Sequence, residues 1–204
     1  MRGKFITFEG SEGCGKSTQS RMLSRYLKGR GCKVVYIREP GGTKISEKIR
    51  EILLNPKNKK ISANCEMLLY MAARVQIVEE VIRPALLDGK IVICDRFLDS
   101  TVVYQGFGLG IDIQLIKKMG IFATGGLKPH LTILLDLPVR DGLKKRGSSK
   151  DRIERRPYSY HLRVRKGYLK LAAQETNRIK VIKVENNKNK TQNKIRETVE
   201  KYVF

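Results

Sequence analysis

The chain has 204 residues, 41% of them hydrophobic, which is enough for one well-cored domain and short for two. Its 42 lysines and arginines against 20 acidic residues leave a net charge of +22, a balance that suits polyanions, whether nucleotides or nucleic acid. No apolar run approaches the roughly 18 residues of a membrane span, no signal-peptide core follows Met1, and four scattered cysteines fit neither a disulfide framework nor a zinc site, so a cytoplasmic protein with free thiols is expected.

Lys4–Glu9 alternates apolar and polar residues and predicts a strand. After a Gly-rich turn, Ser17–Lys28 places Met22, Leu23, Tyr26 and Leu27 on one helical face, with Gly29 and Gly31 as the stop. Lys33–Arg38 predicts a second strand, closed by the turn Pro40-Gly41-Gly42. Helices are expected over Lys44–Leu54 and Asn64–Leu87, the second bent near Pro84. Lys90–Asp95 reads as a strand buried on both faces. Gly106, Gly108 and Gly110 predict a loop, followed by a helix near Asp112–Phe122. Leu131–Leu137 is a fourth strand and Lys180–Val184 a weaker fifth. Between them lie a very basic stretch, Lys144–Arg156, and a helix near Tyr160–Thr176. A last amphipathic helix carries Ile195, Val199 and Val203. Strands alternating with helices imply a parallel sheet covered on both sides, and with no repeat or linker in view residues 1–204 read as a single α/β domain.

Gly10-Ser11-Glu12-Gly13-Cys14-Gly15-Lys16-Ser17 matches GxxxxGK[ST], with Thr18 next, and it stands between a predicted strand and a predicted helix. Its glycines let successive backbone N–H groups turn toward phosphate, and the helix N-terminus adds positive potential. Lys16 is then expected on the β- and γ-phosphates and the Ser17 hydroxyl on Mg²⁺. A metal-side carboxylate should end a neighbouring buried strand. Asp95 and Asp136 are both candidates, and Asp95 is favoured because Arg96 follows it directly. Cys14, beside Lys16 at a helix start, is the thiol expected to be reactive.

A P-loop alone leaves the class open. A guanine-reading NKxD is absent, and 204 residues are few for a motor or translocase, so a small-nucleotide kinase is expected. A basic, ATP-dependent nucleic-acid binder is the rival that the charge suggests; most of that charge, spread along the chain, reads as solvated surface.

Further segments narrow the reading. Arg38-Glu39-Pro40-Gly41-Gly42-Thr43 resembles the REPGGT turn of the thymidylate kinase family, and Asp95–Gly106 its DR[FY]xxSxxxYQG segment. Ala72–Gln76 resembles its AARxQ helix, and Asp151-Arg152-Ile153-Glu154 its DRIE lid segment. All occur in family order and, with the P-loop, span most of the chain. The resemblance implies the P-loop NTPase, nucleoside-monophosphate-kinase fold with a five-stranded parallel sheet and a lid at about 144–156. It implies phosphorylation of dTMP to dTDP by ATP with Mg²⁺, in a homodimer with no specific nucleic-acid partner. By the same resemblance Gly10–Thr18 would hold ATP, and Ser17 and Asp95 the metal. Tyr70 would stack on thymine and Arg74 would donate to its 4-oxo group. Ser100 and Thr101 would line the base edge. Tyr104 would exclude a ribose 2′-hydroxyl, and Gln105 would complete the pocket. Arg96, Arg50, Glu39 and Pro40 would hold the acceptor phosphate, with Glu9 and Glu12 near the sugar 3′-hydroxyl or the metal's water shell. The P-loop has no arginine whereas the lid has Arg146, Arg152, Arg155 and Arg156, which resembles the bacterial lid-arginine type. Lys16, Arg96, Arg146 and Arg152 are then the expected catalytic set, with Arg146 the leading lid residue. Kinases of dUMP or dCMP are the nearer rivals, and Arg74 argues against cytosine, whose 4-amino group cannot accept from a cation.

Overall fold

Side-chain alternation along the strands decides what covers each face of the sheet. The computed structural model describes residues 3–145 and 151–203. Strands β1 (Lys4–Glu9), β2 (Val34–Arg38), β3 (Ile91–Asp95), β4 (Leu131–Asp136) and β5 (Ile179–Lys183) form one sheet in the order β2-β3-β1-β4-β5, with every pairing parallel. Ile6 and Phe8 of β1, Ile91 and Ile93 of β3, and Leu131, Ile133 and Leu135 of β4 point to one side. There they meet Leu23 and Leu27 of α1 (Lys16–Gly29) and Ile195, Val199 and Val203 of α9 (Lys188–Val203). Phe5, Val92 and Cys94, one residue out of phase, pack on the opposite face against Ile77, Val78, Ile82 and Leu86. With both faces covered, β3 is buried at all 5 of its positions, as its apolar run predicts.

The remaining helices are α2 (Lys44–Leu54), α3 (Ala63–Ile77), α4 (Arg83–Leu87), α5 (Leu98–Thr101), α6 (Ile113–Thr124), α7 (Val139–Lys144) and α8 (Tyr158–Gln174). Their starts are written in short polar residues. Thr43 Oγ1 accepts from Ser46 N at 3.1 Å, Ser62 Oγ from Cys65 N at 3.3 Å, and Asp112 Oδ1 from Gln114 N at 2.8 Å.

Three expectations change. The long helix, expected unbroken to Leu87 with a bend near Pro84, widens just before that proline into a π-helical segment over Val78–Ile82, where Arg83 N bonds Val78 O. A proline has no N–H and clashes with the carbonyl four residues back, and the widened turn relieves both. The predicted Gly-rich loop is helical as far as Gly108, α5 running into a second π segment, Val102–Gly108, and only Gly110, at φ 83°, stands in a loop. Gly108 is there for close packing, since a Cβ on it would stand 2.5 Å from the Tyr160 ring. Finally α7 was not foreseen. Gly142 within it meets Gly13 of the P-loop backbone to backbone, with Gly13 at φ 68°, so neither position has room for a side chain.

Candidate active site

The C-terminal ends of β1, β2 and β3 carry Glu9, Arg38 and Asp95 to one edge of the sheet, where a cleft of about 520 Å³ opens. Crevices at this edge are where open α/β sheets take ligands. The register pairs Arg38 with Asp95 and Phe8 with Asp95, so the loops after all three strands converge.

The P-loop forms one wall. Gly15, at φ 89°, caps α1, and Gly13, Gly15, Lys16, Ser17 and Thr18 line the cleft. Lys16 Nζ donates to Ser11 O at 2.9 Å and lies 3.6 Å from Cys14 Sγ. Ser17 Oγ donates to Asp95 Oδ2 at 2.5 Å, which places Asp95 beside the P-loop hydroxyl. Asp136 is engaged elsewhere, by Arg165 at 2.7 and 2.9 Å. Cys14 departs from expectation: it is 1% exposed, and burial pushes its thiol up in spite of Lys16 alongside, so it is an inert core residue. Gly10, Ser11 and Cys14 sit behind the wall and do not line the cleft.

Arg96 stands at the centre. Among the described residues it alone, apart from glycines, has a positive φ, 71°, a conformation that costs on the order of 1–3 kcal/mol and persists only where contacts enforce it. Those contacts are present. Its N–H bonds Phe8 O at 2.9 Å, and its guanidinium lies 4.8 Å over the Tyr104 ring. Its Nη2 is 3.1 Å from both Glu12 oxygens and 3.0 Å from Tyr104 OH. Nη1 reaches Ser100 Oγ at 3.1 Å and Tyr168 OH at 3.3 Å. Glu9, fully buried beneath, accepts from Phe97 N at 2.8 Å, Ser100 Oγ at 2.6 Å and Tyr168 OH at 2.7 Å. Burial and the nearby Asp99 carboxylate push Glu9 up, opposed by Arg96. Asp99 is itself clamped by Arg178 at 2.7 and 3.0 Å, which pins α5 to the sheet.

Glu12 has the opposite balance. Burial would raise its carboxyl, but Arg96, Lys16 and the Tyr104 hydroxyl outweigh this and hold it at about 2. A folded-state value depressed from 4.5 corresponds to about 3 kcal/mol of stability, present at neutral pH and lost as pH falls through about 2. Glu12→Gln is therefore expected to be less stable than the parent by about 2–3 kcal/mol above pH 5, with the gap closing toward pH 2. Urea denaturation at a series of pH values measures this, and a pH-independent gap would refute it.

The opposite wall comes from α3 and the turn after β2. Arg74, 1% exposed, donates through Nε to Glu39 Oε2 at 2.9 Å and through Nη2 to Thr101 Oγ1 at 3.0 Å. Phe97 lies beneath its guanidinium at 5.4 Å. Burial pushes Glu39 up to about 7 even with Arg74 in contact, and its Oε1 has no hydrogen-bond partner. The peptide before Pro40 is cis, and Arg50 Nη1 reaches Pro40 O at 2.9 Å. Tyr70 and Gln105 complete this wall, together with Lys145, Asp151, Ile153 and Glu154 from the basic stretch.

Two predicted lid residues fall outside this picture. Arg146 lies outside the described residues. Arg152 does not line the cleft: its guanidinium pairs with Glu66 at 2.6 Å and donates to Leu53 O at 2.8 Å, because a wholly buried carboxylate needs a counter-ion. Sequence reading missed Glu66, Tyr168 and Arg178. Only Glu66 had a signal, standing four and eight residues before Tyr70 and Arg74 on one helical face.

Comparison with known proteins places this geometry. The family model for thymidylate kinase matches residues 8–195. Thymidylate kinase of Geotalea daltonii is 50% identical over 189 residues, 88% of either chain. That of Symbiobacterium thermophilum is 48% identical over 197 residues, covering 96% of this chain and 92% of the relative. The crystal structure of thymidylate kinase from Ehrlichia chaffeensis superposes with a TM-score of 0.80 at 32% identity, over 97% of this chain and 98% of that one. With a P-loop cradle on one wall and a buried arginine on the other, the chain belongs to the thymidylate kinase family.

Proposed function

We propose that the protein transfers the γ-phosphate of ATP to dTMP, giving dTDP, as a single kinase unit over residues 1–204 with residues 144–156 as its lid. The observation that carries this reading is one cleft with a phosphate cradle on one wall and, on the other, Arg74 held by Glu39 and Thr101. Lys16 and the amides of the P-loop residues that line the cleft, Gly13 and Gly15–Thr18, hold the donor's phosphates. Arg96 sets the acceptor's phosphate in line, with Arg50, Glu39 and Pro40 beside it. Tyr70 stacks on the thymine, Arg74 donates to its 4-oxo group, and Ser100, Thr101 and Gln105 frame the ring. Tyr104, fixed by Glu12 and Arg96, stands against the sugar where a 2′-hydroxyl would be, and Glu12 faces the 3′ side or the metal's water shell. Glu9, expected beside it, is buried behind Arg96 and does not line the cleft. The acceptor phosphate is already an anion, so no general base is needed.

The Ser17 hydroxyl and Asp95 carboxylate, 2.5 Å apart, are hard oxygen donors of the kind Mg²⁺ takes alongside phosphate. Ser17 and Asp95 would hold Mg²⁺, which when bound would supply positive charge to offset that of the donor's phosphates. Closing residues 144–156 over the cleft excludes water and suppresses ATP hydrolysis.

Arg146→Ala is expected to lower kcat far more than it raises KM for dTMP, because a lid cation acts as charge moves in the transition state. A weaker KM with normal kcat would remove Arg146 from that role. The partner we propose is a second copy of the chain, docked through α2, α3 and α6. Ile52, Leu68, Val75 and Leu115 are exposed on those helices, and Phe122 is 81% exposed. No helix among the described residues is long and apolar enough to cross a membrane, and the cytoplasm is the proposed location.

The test is a coupled ADP-release assay with ATP-Mg²⁺ and, separately, dTMP, dUMP, dCMP, dGMP, AMP or DNA alone. Turnover that requires dTMP supports the reading. ADP release stimulated only by DNA would replace it with a nucleic-acid-dependent ATPase.

A further inference from the structure

One carboxylate that no motif includes joins the wall of this cleft to the basic segment beside it. Glu66 is fully buried on α3, in line with Tyr70 and Arg74 at intervals of four residues. Its two oxygens face different partners. Oε1 accepts from Gln105 Nε2 at 2.8 Å, on the wall of the cleft. Oε2 accepts from Arg156 Nη2 at 2.6 Å and pairs with Arg152 Nη2 at 2.6 Å, both in the segment that follows the undescribed residues. Arg152 is fastened a second way, through its N–H to Leu54 O at 3.1 Å and its Nε to Leu53 O. Arg156 rests 4.6 Å over the Tyr160 ring, and its Nη1 has no hydrogen-bond partner, so Glu66 is its anchoring anion.

Two guanidiniums on one buried carboxylate oxygen cannot both be lost cheaply, and neither can shift without disturbing the other. The chemistry on the Oε1 side is equally constrained. Gln105 gives one of its two amide N–H donors to the carboxylate, so Glu66 fixes which way the amide faces and hence how its oxygen and remaining N–H are presented. A displacement of Arg156 therefore reaches Gln105 through a single side chain, over no more than two hydrogen bonds.

We propose that Glu66 is a positioning residue that couples the acceptor-base wall, through Gln105, to the root of the lid, through Arg152 and Arg156. The proposal rests on the kinase reading above, and on Gln105 belonging to the base pocket. Glu66 touches neither nucleotide and acts through these partners.

A double-substitution cycle tests it, with Glu66→Gln, Arg156→Met and the pair, each screened by thermal melting and assayed for KM of dTMP, kcat and acceptor-independent ATP hydrolysis. Arg156 does not line the cleft, yet Arg156→Met is expected to raise KM for dTMP about tenfold. Glu66→Gln is expected to do the same, and the pair to be no worse than the poorer single variant. A merely structural role for Glu66 predicts lower melting temperatures with independent effects on KM that multiply in the pair. That outcome, or an unchanged KM in Arg156→Met, overturns the coupling. If any variant melts too low to assay, Glu66→Asp and Arg156→Lys run the same cycle. Parent enzyme that fails to turn over dTMP would instead sink the kinase reading, and parent turnover with multiplicative variants sinks only the role of Glu66.

Discussion

Lys16→Met should lower kcat for dTMP phosphorylation by about 10²–10³-fold while leaving the fold in place, since one preorganised cationic donor at a developing charge is worth about that much. Lys16 is 7% exposed and folds back on Ser11 O at 2.9 Å, so its ammonium is held against the loop that would surround the donor phosphates. Methionine keeps the length and apolar stem and removes the charge alone. The urea midpoint should fall only modestly, by less than Glu12→Gln costs, because the ammonium's direct bonds are to a backbone carbonyl and a thiol and Arg96 still pairs with Glu12. Steady-state kinetics with saturating ATP and dTMP make the measurement. A variant within tenfold of the parent would show that the cradle's backbone amides carry the donor without Lys16.

Arg74→Met should be the most destabilising single change in the cleft, at about 3–5 kcal/mol near pH 8, because it strands Glu39 in the interior. The sign of its pH dependence follows from Glu39. A folded-state value raised from 4.5 to about 7 means that the folded protein binds this proton more tightly than the unfolded chain. Its contribution is fully favourable below 4.5 and is lost as pH rises through about 7. Removing Arg74 takes away the one cation beside the carboxylate and moves that loss to higher pH. The gap between parent and Arg74→Met should accordingly narrow on going from pH 8 to pH 5.5, as a proton takes the place of the guanidinium. Denaturant titrations at the two pH values decide it, and a gap that widens in acid would contradict this account of Glu39. Binding of dTMP should weaken with it, since Thr101 loses its 3.0 Å partner.

Most of the fold was legible because its signals are local. Alternation in Lys4–Glu9 and the apolar runs of β3 and β4 put strand ends within a residue or so of where they lie, and Thr43 and Asp112 mark helix starts in their own side chains. Glycine was the misleading letter. Gly106 and Gly108 read as loop, yet they sit in a helical segment, where glycine serves packing: Tyr160 leaves no space for a Cβ at Gly108, and Ile113 and Ile116 leave little at Gly106. Contacts of that kind come from residues far along the chain. The same holds in the site. Glu39, Arg74, Arg96 and Thr101 fall in contiguous motifs, and the structure brings all four to one cleft. Tyr168 meets Glu9 across 159 positions, and Glu66 meets Arg156 across 90, distances over which no spacing rule operates. Cys14 was assigned from its neighbour Lys16, and Arg152 from a motif; burial decides which partner a thiol or a charge actually has, and here it gives Cys14 a core site and Arg152 the Glu66 carboxylate.

The backbone-to-backbone meeting of Gly13 and Gly142 works as a gauge block of zero thickness. The gap between the phosphate cradle and α7, the helix that runs into Lys145 at the cleft, is set by main-chain atoms alone. Where side chains meet, residues of different size can retune a spacing by a methyl group at a time. Here no such adjustment exists. The catalytic half of the molecule can drift in sequence while one dimension of it stays machined, and an alanine at either glycine would act as a shim, prising the cradle and the cleft's basic edge apart together.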